Sequence, residues 1–245
     1  MQKLEFIMGM PVIVDISGSP SDNVFRKVFD YFRYVDEKFS PYKKNSEVTK
    51  INDGRLKVED VTGDMKLILK LSEKTKKETD GYFDVYHEGN FNPSGIVKGW
   101  AIREAADIIK RNGFDNYSIN AGGDIQTAGL NNDGKRWAIG IRNPFNLVQN
   151  VKIVYLSGEG IATSGTYERG NHIYNPKNGI MDKNILSLTV IAKDIYEADR
   201  FATAAFAMGK EGINFIEKQK GLEGYMIDSE GMATCTSGFS NYENS

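Results

Sequence analysis

The chain has 245 residues, 40% hydrophobic and 26% charged, the makeup of a globular protein long enough for a large core. Lys and Arg number 31 against 33 Asp and Glu, so the formal net charge of -2 supplies no overall field for nucleic acid or anionic lipid, and a polyanionic ligand needs a local site. A lone cysteine, Cys235, excludes an intrachain disulfide and a multi-cysteine zinc site, and no apolar run reaches the ~18 residues of a membrane helix.

Residues 4–16 are rich in β-branched and aromatic types and are broken only at Met8-Gly9-Met10-Pro11, which predicts one bent strand or two short ones. Val24, Val28, Phe29, Phe32 and Val35 recur at helical spacing and predict a helix over 22–38 that stops before Ser40-Pro41-Tyr42. A short segment at 46–52 and a helix at 61–78 lead to the turn Thr79-Asp80-Gly81. A helix over 94–112 ends at Gly113, the residue type that favours a left-handed cap. Strands are expected at 116–120, 137–142, 151–156 and 186–192, then helices at 196–208 and 212–218 and a last strand near 224–227. This irregular alternation, with strands able to pair as hairpins, predicts an α+β fold: one compact domain over 1–245, with mixed or antiparallel sheets flanked by helices. The opening residues carry neither an apolar stretch of signal-peptide length nor a cysteine for a lipid, so a cytoplasmic location is expected.

Four stretches carry chemistry. Phe91-Asn92-Pro93-Ser94-Gly95-Ile96-Val97-Lys98-Gly99-Trp100 puts a turn, a glycine and a lysine at a helix start, where free N–H groups and the dipole suit a phosphate and Lys98 adds positive charge. Taken alone, an ordinary helix start with a solvent-facing lysine fits equally well, and the P-loop pattern is absent. Asn120-Ala121-Gly122-Gly123-Asp124 follows a strand; its glycines permit close approach of a ligand, and Asp124 can accept from a hydroxyl or a nearby N–H, although Gly-Gly-Asp is also a common turn. Ala162-Thr163-Ser164-Gly165-Thr166-Tyr167 leads to His172 and the Asn175-Pro176 turn; a lone histidine is more often structural, and Ser164 lacks the Gly-x-Ser-x-Gly setting of a nucleophile. In Ala198-Asp199-Arg200-Phe201-Ala202-Thr203, Asp199 and Thr203 stand one helical turn apart, so a carboxylate and a hydroxyl share a face as hard oxygen ligands for Mg²⁺, or else Asp199 caps the helix and Thr203 bonds back to a carbonyl.

Taken together and in order, these motifs resemble the ApbE family of FAD:protein FMN transferases over nearly the whole chain. The resemblance also rests on Met8-Gly9-Met10, Ser40-Pro41-Tyr42 with Ser46-Glu47 and Asn52, Gly81-Tyr82-Phe83-Asp84, and Ile141-Arg142-Asn143-Pro144. It implies that Met10 or its neighbours, Tyr42, Tyr82, Phe83, Asp84, Asn92, Lys98 and Ile173 contact FAD, and that the Gly95 carbonyl with Asp199, Ala202 and Thr203 holds Mg²⁺. It further implies transfer of the FMN half of FAD to a threonine or serine of a target protein, with AMP released; His172 is the candidate base, and Asp84 or Asp199 are alternatives. Asn92 and Asn175 depart from the family pattern, where aspartate is usual, and the connection between Asp84 and Asn92 is short. Hydrolysis of FAD to FMN and AMP and a flavin-binding module without chemistry are the competing expectations.

Overall fold

A computed structural model of the chain describes residues 1–166, 173–180 and 182–244. The β-rich start becomes two strands, β1 (Gln2–Ile7) and β2 (Met10–Ile16), paired antiparallel through Met8 and Gly9. Both turn residues have positive φ, the backbone whose twist matches that of the strands. Next, α1 (Asp22–Phe39) buries Val24, Phe25, Val28, Phe29, Phe32, Val35 and Phe39 on one face. Ser21 gives this helix no side-chain cap, a loss of about 1 kcal/mol, whereas each buried phenylalanine contributes about 2 kcal/mol, so packing holds it.

Short α2 (Glu47–Asn52) is capped by Ser46, whose hydroxyl accepts from the Thr49 N–H at 3.0 Å. After α3 (Gly63–Glu78), β3 (Tyr86–His87) and β4 (Asn90–Phe91) form a small hairpin leading into α4 (Ser94–Arg111). Strands β5 (Tyr117–Ala121), β6 (Asp124–Ala128), β7 (Trp137–Asn143), β8 (Asn146–Leu156), β9 (Gly160–Gly165) and β10 (Ile185–Ala192) follow. The chain closes with α5 (Ile195–Ala207), α6 (Glu211–Glu217), β11 (Glu223–Asp228), β12 (Ala233–Cys235) and a 3-10 turn at Phe239–Tyr242.

Among the described residues eight strands form one sheet in the order β1-β2-β5-β6-β9-β10-β11-β12, antiparallel at every pairing, which resolves the expectation of mixed or antiparallel sheets. Strand period sorts its two faces. Ile119, Ala162, Leu188, Val190 and Met226 join the core under α1, α4, α5 and α6, whereas Ile125, Ile161, Ile191, Tyr225 and Ile227 pack with Ile141, Val154, Leu156 and Phe239 on the other side. Helices therefore cover one face, and the β7–β8 hairpin with the 3-10 turn covers the other. No helix among the described residues is long and apolar enough to cross a membrane.

Strands β3, β4, β6, β9 and β12 go beyond the sequence expectation. In β6 and β9 the buried positions include Asp124, Gln126, Thr127 and Ser164, so no apolar alternation marks them. Their polar groups are satisfied by remote partners instead: the Ile195 N–H donates to Gln126 Oε1 at 2.8 Å, and the Thr163 and Thr189 hydroxyls lie 2.8 Å apart.

Candidate active site

The site begins at the crossing of α4 and α5, where Gly95 and Gly99 on one helix meet Thr203 and Asp199 on the other. A Cβ on Gly99 would lie 2.8 Å from Asp199 Cβ and 2.9 Å from the Ile195 carbonyl oxygen, so only glycine allows this approach. At Gly95 a Cβ would meet Phe83 and the Thr203 methyl at 3.3 Å. The Gly99 N–H donates to Asp199 Oδ2 at 2.8 Å. In a regular helix that N–H belongs to the Gly95 carbonyl, so its donation to Asp199 lowers the demand on a carbonyl one turn away from it. Asp199 is thus no helix cap: Asp194 caps α5 by accepting from the Glu197 N–H at 2.9 Å.

Asn52, Asn92 and Pro93 set the start of α4. The Asn52 side chain donates to the Phe91 carbonyl at 2.9 Å and accepts from the Phe91 N–H at 2.8 Å, holding β4 as a neighbouring strand would. Asn92 Oδ1 accepts from the Ser94 N–H at 3.1 Å and its hydroxyl at 2.6 Å. With the Ile96 and Val97 N–H groups donating to the Pro93 carbonyl, the Gly95 N–H is the first-turn donor without an acceptor among the described residues. The phosphate-binding capacity expected of this helix start narrows to that group.

A cavity of about 540 Å³ opens above the crossing and gathers Tyr42, Tyr82, Phe83, Asp84, Asn92, Gly95, Lys98, Ile173, Asp199 and Thr203 in its wall. Phe83 is buried, whereas Tyr42 stands 93% exposed at the rim, free to close on a bound ring. The Lys177 ammonium lies 4.1 Å from the Tyr82 ring centroid and 2.7 Å from Asp80, bracing that tyrosine. Ala202 is fully buried behind this wall and can offer only its carbonyl. Met10 is not in the wall: it is buried under the β5–β6 turn, where its sulfur would be 2.8 Å from a Cβ on Gly122. Its relation to the site is support of the turn. His172 lies outside the described residues.

Gly122 and Gly123, both at positive φ, make the two-residue turn between β5 and β6, and Asn120 Oδ1 accepts from the Gly123 N–H at 2.9 Å. The next residue, Asp124, is 1% exposed and forms an ion pair with Lys98, while its Oδ1 accepts from the Thr163 N–H at 3.3 Å. Lys98 is accordingly not a solvent-facing lysine, and much of its charge is already answered. Asp84 is engaged twice, with Lys76 Nζ at 2.6 Å and the Tyr86 N–H at 3.0 Å.

The charge balance decides what fits. Among the described residues of the wall, one cation, Lys98, stands with two carboxylates, Asp84 and Asp199; Lys98 is answered by Asp124 and Asp84 by Lys76, so the described wall offers a pyrophosphate little net positive charge. No group of three or more His, Cys, Asp or Glu gathers there among the described residues. One carboxylate, a hydroxyl and backbone carbonyls suit Mg²⁺, which takes few protein ligands and completes its shell with water and phosphate oxygens. The residues present fit that ion.

Sequence reasoning missed His87 and Tyr174, whose rings stack at 3.6 Å between centroids across the cavity mouth. Burial raises the Tyr174 pKa, with the carboxylates of Asp84 and Glu88 adding to it, so the phenol stays neutral near pH 7. The two residues are far apart in sequence, and no local pattern links them.

The sequence model of the ApbE family matches residues 8–89 and 87–226. The FAD:protein FMN transferase of Escherichia coli K12 is 31% identical over 148 residues, covering 56% of this chain and 42% of that protein. That of Vibrio cholerae serotype O1 is 36% identical over 128 residues, covering 48% and 38%. The matched region thus spans less than half the length of these curated relatives. The ApbE protein of Thermotoga maritima superposes with a TM-score of 0.89 at 22% identity over 100% of this chain and 99% of that one. The flavin transferase ApbE from Vibrio cholerae gives 0.84 at 22% identity over 99% of both, a likeness of fold. With the family pattern matched across both the helical first half and the sheet-rich second half, the chain belongs to the ApbE family.

Proposed function

We propose that this protein is a magnesium-dependent FAD:protein FMN transferase, moving the FMN half of FAD onto a threonine or serine hydroxyl of a target protein and releasing AMP. The observation that carries this reading is the α4–α5 crossing, which sets hard oxygen donors beside Lys98 and a Gly95 N–H that has no acceptor among the described residues, in a cavity whose described wall offers a pyrophosphate little net positive charge. The curated relatives bear the name of this activity.

In the proposed reaction the acceptor oxygen bonds to the phosphorus on the FMN side, the bond from that phosphorus to the AMP phosphate breaks, and the acceptor proton leaves to a base. Mg²⁺ held by Asp199, Thr203 and the carbonyls of Gly95 and Ala202 would neutralise the pyrophosphate and stabilise the departing oxygen. Lys98 and the Gly95 N–H, at the positive end of α4, stabilise the same oxygens. Tyr42, Tyr82 and Phe83 offer ring surfaces to the flavin or adenine. His172 is the proposed base, because Asp84 is committed to Lys76 and the Tyr86 N–H and Asp199 to the metal.

Incubation with FAD, Mg²⁺ and a purified candidate acceptor protein tests the reading. AMP with flavin-labelled acceptor is expected; AMP with free FMN would mean hydrolysis, and neither product would mean a binding module.

A further inference from the structure

Strand β1 is the outer strand of the large sheet and pairs along one edge only, with β2, among the described residues. The Met1 amine donates to the Ile16 carbonyl at 2.6 Å and the Ile16 N–H to the Met1 carbonyl at 2.9 Å, so these two residues form a hydrogen-bonded pair. Antiparallel pairs alternate, which turns the main-chain groups of Lys3, Glu5 and Ile7 towards β2 and those of Gln2, Leu4 and Phe6 out from the open edge. Side chains alternate as well. Lys3 and Glu5 stand on the helix side, paired with Asp22 and Arg33 of α1, whereas Leu4 and Phe6, 52% and 77% exposed, stand on the other side next to Ile13 and Pro11 of β2. Edge strands are ordinarily blunted by a proline, a bulge or an unanswered charge; β1 has no proline, its register to β2 is unbroken, and both its charges have partners.

We propose that this edge is a homodimer interface, in which β1 of a second copy pairs antiparallel with β1 about a two-fold axis at Leu4 and joins the two sheets into one. Charge complementarity within the strand selects both the occupant and the register. Outward main-chain groups must face outward groups, so even-numbered residues oppose even-numbered ones. With Leu4 opposite Leu4 of the second copy, Gln2 faces Phe6 and Lys3 faces Glu5 on both sides of the axis, which allows about six main-chain hydrogen bonds. Each Lys3–Glu5 contact also extends an existing pair at either end, so that Asp22, Lys3, Glu5 of the second copy and its Arg33 form a row of alternating charge. A slip of two residues in either direction instead sets Lys3 against Lys3 or Glu5 against Glu5, and like charges directly opposite each other disfavour it. On the other side of the sheet, Leu4 and Phe6 of the two copies meet as one apolar cluster and leave water together. This pairing uses nothing of the α4–α5 cavity and stands independently of the transferase reading.

Sedimentation velocity of the full chain over a range of about 1–200 µM tests this, with thermal melts as the control for folding, and a concentration-dependent dimer is expected. Leu4→Pro removes an N–H that points away from β2, so it should leave the monomer folded and raise the dimer dissociation constant by at least about tenfold. Lys3→Glu should weaken the dimer as well, and adding Glu5→Lys should restore part of the loss, because the exchanged charges again oppose each other. In amide hydrogen exchange, Leu4 and Phe6 should become protected as concentration rises, whereas Lys3 and Glu5, already bonded to β2, should not change. A monomer at every concentration overturns the proposal, and protection of Leu4 and Phe6 that is independent of concentration would then give the edge to another occupant. A dimer indifferent to Leu4→Pro places the interface elsewhere, and one disrupted by Leu4→Pro but indifferent to the charge changes rules out the register centred on Leu4.

Discussion

Lys98 and Asp124 form a pair in which one partner is almost entirely out of water, with side-chain exposures of 17% and 2%. Deleting the lysine strands a buried carboxylate, at a cost of about 3–5 kcal/mol, so Lys98→Ala should lower Tm by roughly 10 °C as well as weaken FAD. The double variant Lys98→Met with Asp124→Asn should recover most of the stability but not the FAD affinity, and its riboflavin affinity should stay near wild type, because riboflavin lacks the pyrophosphate. Thermal melts with titrations of both ligands check this; recovery of FAD affinity in the double variant would take Lys98 out of the phosphate site. At Asn175 the side chain accepts from the Lys177 N–H at 2.9 Å, a turn bond that aspartate makes equally well, so Asn175→Asp should leave the rate of AMP release unchanged. Asn92 holds the first turn of α4, where a carboxylate gains from the helix dipole, so Asn92→Asp should raise that rate modestly. A fall in AMP release for Asn92→Asp at saturating FAD would contradict this assignment.

At the scale of elements, the site depends on how closely α4 and α5 approach. Arg200 fixes the rotation of α5: its buried guanidinium bonds Glu197 and reaches Glu78 of α3, each at 2.5 Å, which leaves the adjacent Asp199 facing α4. Burial works against the Arg200 charge, but Glu197 and Glu78 more than offset it and hold its pKa above the usual value. Gly99→Ala forces a methyl against Asp199 and the Ile195 carbonyl, so the helices must separate at a cost of about 1–3 kcal/mol. Its Tm should fall and its Mg²⁺ requirement for FAD binding should rise, whereas Gly95→Ala, with neighbours at 3.3 Å, should do less of both. A Gly99→Ala protein with wild-type Tm and metal requirement would show that this contact does not position the donors. Helix α5 was legible because Asp199 and Thr203 are one turn apart on a single element. The partners of that face were not, because Gly99 bonds Asp199 from exactly one hundred positions earlier in the chain, and Lys98 meets Asp124 from a different layer.

Across the whole molecule, the sequence carries the helices and the apolar strands because each is marked by its own period, and it leaves out β6 and β9 because their buried polar residues take partners contributed by other layers. The same division holds for the site. Motifs that sit on one element, the α4 start and the α5 face, are readable; the Lys98–Asp124 pair and the His87–Tyr174 stack exist only once the sheet, the helices and the 173–180 segment are assembled. Assembly also sets the charge balance of the cavity, which makes FAD affinity dependent on a divalent cation in this account. Chelation by EDTA should therefore weaken FAD by at least tenfold and riboflavin hardly at all; equal losses would remove the metal from the pyrophosphate.

The central claim is that a cation-assisted cavity moves FMN from FAD to a protein hydroxyl. Its most direct test is the quantification of AMP, free FMN and flavin-labelled protein after incubation of FAD and Mg²⁺ with a purified acceptor, for wild type and Asp199→Asn. The account predicts AMP in equal amount to labelled acceptor in wild type, and both reduced by about 100-fold or more in the variant. AMP matched by free FMN, or undiminished labelling by Asp199→Asn, would contradict it.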